Sequence, residues 1–204
     1  MNKNIIIHIS GFPGSGKTTL GEKLQKKFKN IIVYDTDGFI QHHTKEGKQL
    51  LKIEKDILTN KKTNKDYRDL NKNYRDLWKK TIKNKIDEFI SKYNNKIIVF
   101  VGSLDNFAPP NTIYNINANY KFVLDVPLDE LMKRYYLRIS KMEQKLTKKE
   151  SENYWNNLSK GIYHITGSDD MIKALKKYNE WHKKYDYIFL NDNDIIDKIN
   201  NIIN

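Results

Sequence analysis

The tightest constraint on this chain is the octapeptide GFPGSGKT, Gly11 to Thr18. The apolar, β-branched run NIIIHIS precedes it, and KTTLGEKLQKKF follows, with Leu20, Leu24 and Phe28 at helical spacing. Strand, glycine-rich turn and helix in that order fit the pattern G-x-x-x-x-G-K-[ST] in full. Glycine lets the backbone wrap closely around an anion. Successive N–H groups and the helix N-terminus then face that anion. Lys17 is placed to reach the outer phosphates of a nucleotide, and the Thr18 hydroxyl to ligate Mg²⁺. Gly11, Pro13, Gly14, Ser15, Gly16, Lys17, Thr18 and Thr19 are therefore the candidate nucleotide-binding residues, with ATP and Mg²⁺ as the implied ligands.

Four more buried strands follow: IIVYD (31–35), KIIVFVG (96–102), YKFVLDV (120–126) and YDYIFLN (185–191). Helical patterns lie between them, one opening at Pro127 and one closing the chain as DIIDKINNII. Strands alternating with helices predict an α/β fold of three layers, a five-stranded and mostly parallel sheet with helices on both faces. No Gly/Ser-rich or Pro-rich linker divides the 204 residues, so one domain is expected. Its core covers 1–37, 96–138 and 185–204. Residues 38–95 read as an acceptor-side helical insert, and 139–184 as a lid with helical parts.

The net charge is +12, but 33 Lys and 24 Asn stand against 4 Arg and 3 Ala. That skew matches the codon usage of an AT-rich genome, and the lysines are spread along the whole chain. Both points weigh against reading the charge as a nucleic-acid surface, although a polyanionic partner remains the second reading. With no cysteine, disulfides and thiol chemistry are excluded. No apolar run approaches the ~20 residues of a membrane span, and the first apolar stretch is too short for a secretion signal. A cytoplasmic protein is expected.

The chain resembles the P-loop kinases of small molecules, the group of nucleoside, nucleotide, shikimate and gluconate kinases. The phosphate loop with its following TLGEKL carries the resemblance. So does YDTDGFI (34–40), similar to the Asp-x-Asp after strand two of shikimate kinases. LDVPLDELMKRYYLR (124–138) looks like the strand, helix and paired arginines that open the lid of many such kinases, and YIFLNDND like their adenine-contacting loop. Departures are equally clear. VGSLDNF stands where shikimate kinases carry a run of glycines, the DG-x-PR type signature of adenylate kinases is missing, and so is the usual carboxylate at the end of strand three. No single acceptor is therefore carried over.

The resemblance implies that Arg134 and Arg138 divide two tasks, one packing on adenine and the other gripping the transferring phosphate. An Arg at i and i+4 shares one helix face, and its planar fork fits phosphate better than Lys does. Phosphoryl transfer needs positioning, charge neutralisation and one carboxylate to orient the nucleophile. Asp37, just past strand two at the carboxyl edge of the sheet, is the candidate base. Asp35 is the candidate to hold Mg²⁺ through water, and one of the two could instead cap the next helix. Asp105 could replace the missing carboxylate or touch an acceptor hydroxyl, and a plain loop Asp is the alternative. Arg68 and Arg75, from the doublet YRDLNKNYRDL, could bind an anionic acceptor or simply pair with Asp66, Asp69 and Asp76. His42 and His43 have no Cys or carboxylate cluster at metal-ligand spacing and read as surface residues, with the acceptor pocket as the alternative for one of them, and His164 reads as structural.

The reading that results is an ATP-dependent phosphotransferase acting on a small-molecule hydroxyl, such as that of a nucleoside. A nucleoside monophosphate kinase, a polynucleotide 5′-hydroxyl kinase and a non-catalytic nucleotide-binding regulator are the alternatives.

Overall fold

A computed structural model describes residues 3–36, 83–102, 116–144 and 168–204, with the single positions 45, 48, 49, 52, 147 and 148. Its elements are β1 (Ile5–Ser10), α1 (Lys17–Lys27), β2 (Ile31–Asp35), α2 (83–91), β3 (Ile97–Val101), β4 (Tyr120–Leu124), α3 (Leu128–Glu143), α4 (Ser168–Lys184), β5 (Ile188–Leu190) and α5 (Asp192–Ile203). The five strands form one sheet in the order β2-β3-β1-β4-β5, and every pairing is parallel. Parallel strands require crossover connections, which commonly lay helices on the faces of the sheet.

Strand β1 is central and buried on both faces, which is why it reads as a near-continuous apolar run. Ile7 and Ile9 point to the layer made by α1 and α5, where they meet Leu20, Leu24, Ile195 and Ile199. Helix α1 approaches the sheet closely at Gly21. A Cβ there would stand 3.2 Å from a methyl of Val101 and 3.3 Å from one of Val33.

The other face of β1 carries Ile6, His8 and Ser10. Ile6 packs with Tyr34, Ile98, Phe100 and Ile86 of α2. Phe12, Val123, Leu131, Tyr178 and Tyr187 form a third cluster that joins α3 and α4 to the sheet. Within the segment read as a lid, residues 168–184 are thus helical, and Tyr178 and His182 are buried against this face. Apart from positions 45, 48, 49, 52 and 83–95, the helical insert lies outside the described residues, as do 145–146 and 149–167.

Because the sheet is parallel throughout, the carboxyl ends of β1, β2, β3 and β4 open toward one edge. Ligands of open α/β sheets bind beyond that edge. Gly11, Asp35, Gly102 and Asp125 all lie there, at or just past the ends of their strands.

Candidate active site

The loop after β1 closes on itself before α1 begins. The Ser15 N–H donates to the Phe12 carbonyl at 2.9 Å, making a turn through Pro13 and Gly14. Gly14 and Gly16 both have positive φ, 86° and 98°. Gly16 is the N-cap of α1 in the left-handed region, and no side chain caps the helix there. The first turn of α1 also contains no acidic residue. The open N–H groups and the positive end of the helix dipole are thus left for an anion from outside.

Lys17 is buried, and its ammonium donates to the Gly11 carbonyl at 2.6 Å and to the Phe12 carbonyl at 3.2 Å. A buried cation is tolerable only with such partners. The hydroxyl of Thr18 donates to Asp35 Oδ2 at 2.8 Å, tying the first turn of α1 to the last residue of β2. A hydroxyl and a carboxylate held side by side, next to the buried Lys17, are oxygen donors of the type Mg²⁺ prefers. The set fits Mg²⁺ held by Thr18, with Asp35 behind it.

Helix α3 brings Arg134 across the loop from above. Its Nη1 donates to the Ser15 carbonyl at 2.8 Å, and its Nε donates to Glu130 at 2.8 Å. A Cβ on Gly16 would sit 3.3 Å from the same Nη1, so the guanidinium rests directly on the turn. Pro127 starts this helix by accepting the Leu131 N–H at 3.0 Å.

A cleft of about 600 Å³ runs from Gly14, Ser15, Gly16 and Thr19 past Arg134 to Asp125, Val126, Asn191 and Asp192. Asn191 caps α5: its side chain accepts the Asp194 N–H at 3.0 Å and donates to the Asp194 carboxylate at 2.7 Å. Asp192 pairs with Lys23 at 2.9 Å beside the cleft, and that hydrogen bond holds its carboxyl below the usual range. The pair is exposed and contributes on the order of 1 kcal/mol or less.

The structure therefore brings together the loop, Lys17, Thr18, Thr19, Asp35 and Arg134. Helix α3 places Arg138 one turn after Arg134. Its side chain, together with Asp37, Arg68, Arg75, Asp105, His42, His43 and His164, lies outside the described residues. Arg134→Ala is expected to weaken ATP binding about ten-fold, the cost of one charge-assisted contact, with little change in melting temperature because the side chain is 42% exposed. Titration calorimetry with the ATP–Mg²⁺ complex measures it.

Sequence reasoning missed a polar chain beneath the loop. Ser10 Oγ lies 2.7 Å from the Tyr178 hydroxyl and 2.9 Å from His182 Nε2. His8 lies between the Tyr187 hydroxyl, 2.5 Å from Nδ1, and the Gly102 carbonyl, 3.1 Å from Nε2. All are buried. Burial drives the His8 imidazole down to about 3 and that of His182 to about 4, with the Lys17 charge adding to both. The signal was present: two polar residues two apart inside an apolar strand share one face.

A family model described as an AAA domain matches residues 7–156. No curated protein matches the chain by sequence. Among solved structures it is similar to shikimate kinase from Acinetobacter baumannii in complex with shikimate, with 14% identity, 99% of this chain and 94% of that one covered, and a TM-score of 0.52. Shikimate kinase from Bacteroides thetaiotaomicron matches at 18% identity and 98% coverage of both chains, with a TM-score of 0.49. Thymidylate kinase from Ehrlichia chaffeensis matches at 13% identity over 86% of this chain and 99% of that one, with a TM-score of 0.40. The likeness to the Acinetobacter structure shows the P-loop kinase fold. The family match spans well over half the sequence and begins in β1, just ahead of the phosphate loop: this chain belongs to the AAA domain family.

Proposed function

We propose that this protein transfers the γ-phosphoryl group of ATP to a hydroxyl of a small metabolite. The observation that carries this reading is a phosphate loop continuous with a cleft of about 600 Å³ that Arg134 lines. The fold shared with a shikimate kinase that holds its substrate supports a small acceptor.

In this reading the loop N–H groups and α1 hold the phosphates, and Lys17 exchanges the Gly11 and Phe12 carbonyls for phosphate oxygens. Arg134 covers the nucleotide between its base and its phosphates. Mg²⁺, held through Thr18, supplies charge neutralisation on the phosphate oxygens. Asp35 already accepts the Thr18 hydroxyl, so its task is to fix that hydroxyl. Asp37 is then the carboxylate left to orient the acceptor and take its proton. Arg138 stabilises the charge of the transferring group. Arg68, Arg75 and Asp105 belong to the acceptor side.

The test is transfer of label from γ-labelled ATP to panels of nucleosides, hydroxy acids, sugars and nucleoside monophosphates. Asp37→Asn is expected to lower turnover roughly 10²–10⁴-fold with a hydroxyl acceptor, the usual range for a general base. Near-normal turnover in that variant would move the acceptor to a nucleoside monophosphate, which needs no base. The weight would then fall on Arg68 and Arg75.

A further inference from the structure

Three groups beneath the loop have no part in binding or proton transfer as described: Ser10, Tyr178 and His182. Their hydrogen-bond directions follow from one fixed acceptor. His182 Nδ1 lies 2.8 Å from the Tyr178 carbonyl, which can only accept, so Nδ1 carries the proton. In the neutral ring Nε2 must then accept, and the Ser10 hydroxyl donates to it at 2.9 Å. Ser10 has spent its only hydrogen, so the Tyr178 hydroxyl donates to Ser10 Oγ at 2.7 Å. The chain runs one way, from Tyr178 through Ser10 to His182.

Its position is specific. Ser10 is the last residue of β1, and Gly11 follows it. On the other side of Gly11, the Phe12 ring packs edge-on against the Tyr178 ring, with centroids 5.6 Å apart and planes at 84°. Helix α4 therefore grips both neighbours of Gly11, one by a hydrogen bond and one by a ring. The carbonyls of Gly11 and Phe12 are the two that hold the Lys17 ammonium. Room is short as well: a Cβ on Gly11 would lie 2.5 Å from Ser15 Oγ and 3.0 Å from Lys17 Cγ.

We propose that Tyr178 and His182 are positioning residues for the phosphate loop, acting through Ser10 to set the Gly11–Phe12 backbone and with it the reach of Lys17. This rests on the phosphoryl-transfer reading, in which Lys17 serves the nucleotide phosphates. The base end of the cleft, at Asp125 and Asn191–Asp192, lies past the ends of β4 and β5.

That separation gives a readout a merely structural role would not move. Titration calorimetry is run on the full chain with ATP–Mg²⁺ and with adenosine, which lacks phosphates. Tyr178→Phe keeps the ring and removes the donor to Ser10, and Ser10→Ala removes the centre of the chain. Both are expected to weaken ATP–Mg²⁺ by about ten-fold while adenosine stays within about two-fold. His182→Gln, whose amide oxygen can accept from Ser10, is expected to restore most of the affinity that His182→Phe loses. Unchanged ATP affinity in Tyr178→Phe and Ser10→Ala overturns the proposal, and so does parallel weakening of ATP and adenosine. If Ser10→Ala does not fold, Tyr178→Phe alone decides between these outcomes. Failure of the wild-type chain to bind ATP–Mg²⁺ is a different result, and it removes the phosphoryl-transfer reading itself.

Discussion

Lys17→Met leaves a folded protein with almost no capacity for nucleotide chemistry. The methionine keeps the apolar stem and removes the charge. The Gly11 and Phe12 carbonyls lose the Lys17 ammonium, and hydrogen bonds from a charged donor are worth roughly 1.5–3 kcal/mol, while Phe12 keeps the Ser15 N–H. Against that, a cation no longer has to be buried. The net change in melting temperature is therefore small, and circular dichroism measures it. The functional loss is large, because no other described lysine lies within the loop. Turnover of ATP is expected to fall by about 10³-fold, the scale for removing one fixed electrostatic partner of a developing charge. The stabilisation by ATP–Mg²⁺ disappears with it. Retention of that stabilisation in Lys17→Met would mean that the loop does not hold phosphates as described.

The second large effect is on stability, and it needs no substrate. His8 and His182 are buried and neutral, held down to about 3 and about 4 by loss of hydration first, with Lys17 adding to both and Lys121 to His8. In the unfolded chain both titrate near 6.5. Below pH 6.5 the unfolded state binds more protons than the folded state, so stability falls as pH falls. The contribution is fully present above pH 6.5 and is lost progressively toward pH 4 for His182 and pH 3 for His8. At pH 5 each histidine accounts for about 2 kcal/mol, and the two rings also repel each other when charged. For a chain of this size that is roughly 8–16 °C in melting temperature. The exposed carboxylates with lowered values, Glu88 and Asp192, act lower, because they lose their charge only as pH falls below the ordinary carboxylate range. Denaturant melts between pH 8 and pH 5 isolate the histidines, and His182→Gln is expected to flatten the curve by about half. A stability independent of pH over that interval would contradict the buried, neutral assignment of both rings.

Much of the architecture can be read from the sequence because the physics is local. A strand covered on both faces reads as a mostly apolar run, so NIIIHIS, IIVYD and KIIVFVG announce β1, β2 and β3. The phosphate loop is legible for the same reason: glycines, lysine and threonine each have one local task. Arg134 stands out because arginine is scarce in a lysine-rich chain. The order β2-β3-β1-β4-β5 is not local and leaves no mark in any one segment. Helix α4 is hard to place because its buried face carries Tyr178 and His182 with few aliphatic residues, which blurs the usual apolar stripe. The hydrogen-bonded chain it makes with Ser10 joins residues 168 and 172 positions apart. The Thr18–Asp35 bond lies between these extremes. Both residues are visible as candidates, and only the fold sets the hydroxyl on the carboxylate.

The most direct test of the account is a thermal melt of the full chain with and without ATP–Mg²⁺. A ligand that binds only the folded state stabilises it in proportion to ln(1 + [L]/Kd). The account predicts a clear rise in melting temperature that grows with the logarithm of ATP–Mg²⁺ concentration and is absent in Lys17→Met. No rise at millimolar ATP–Mg²⁺ would contradict it, because a loop that leaves ATP unbound cannot be the site of phosphoryl transfer.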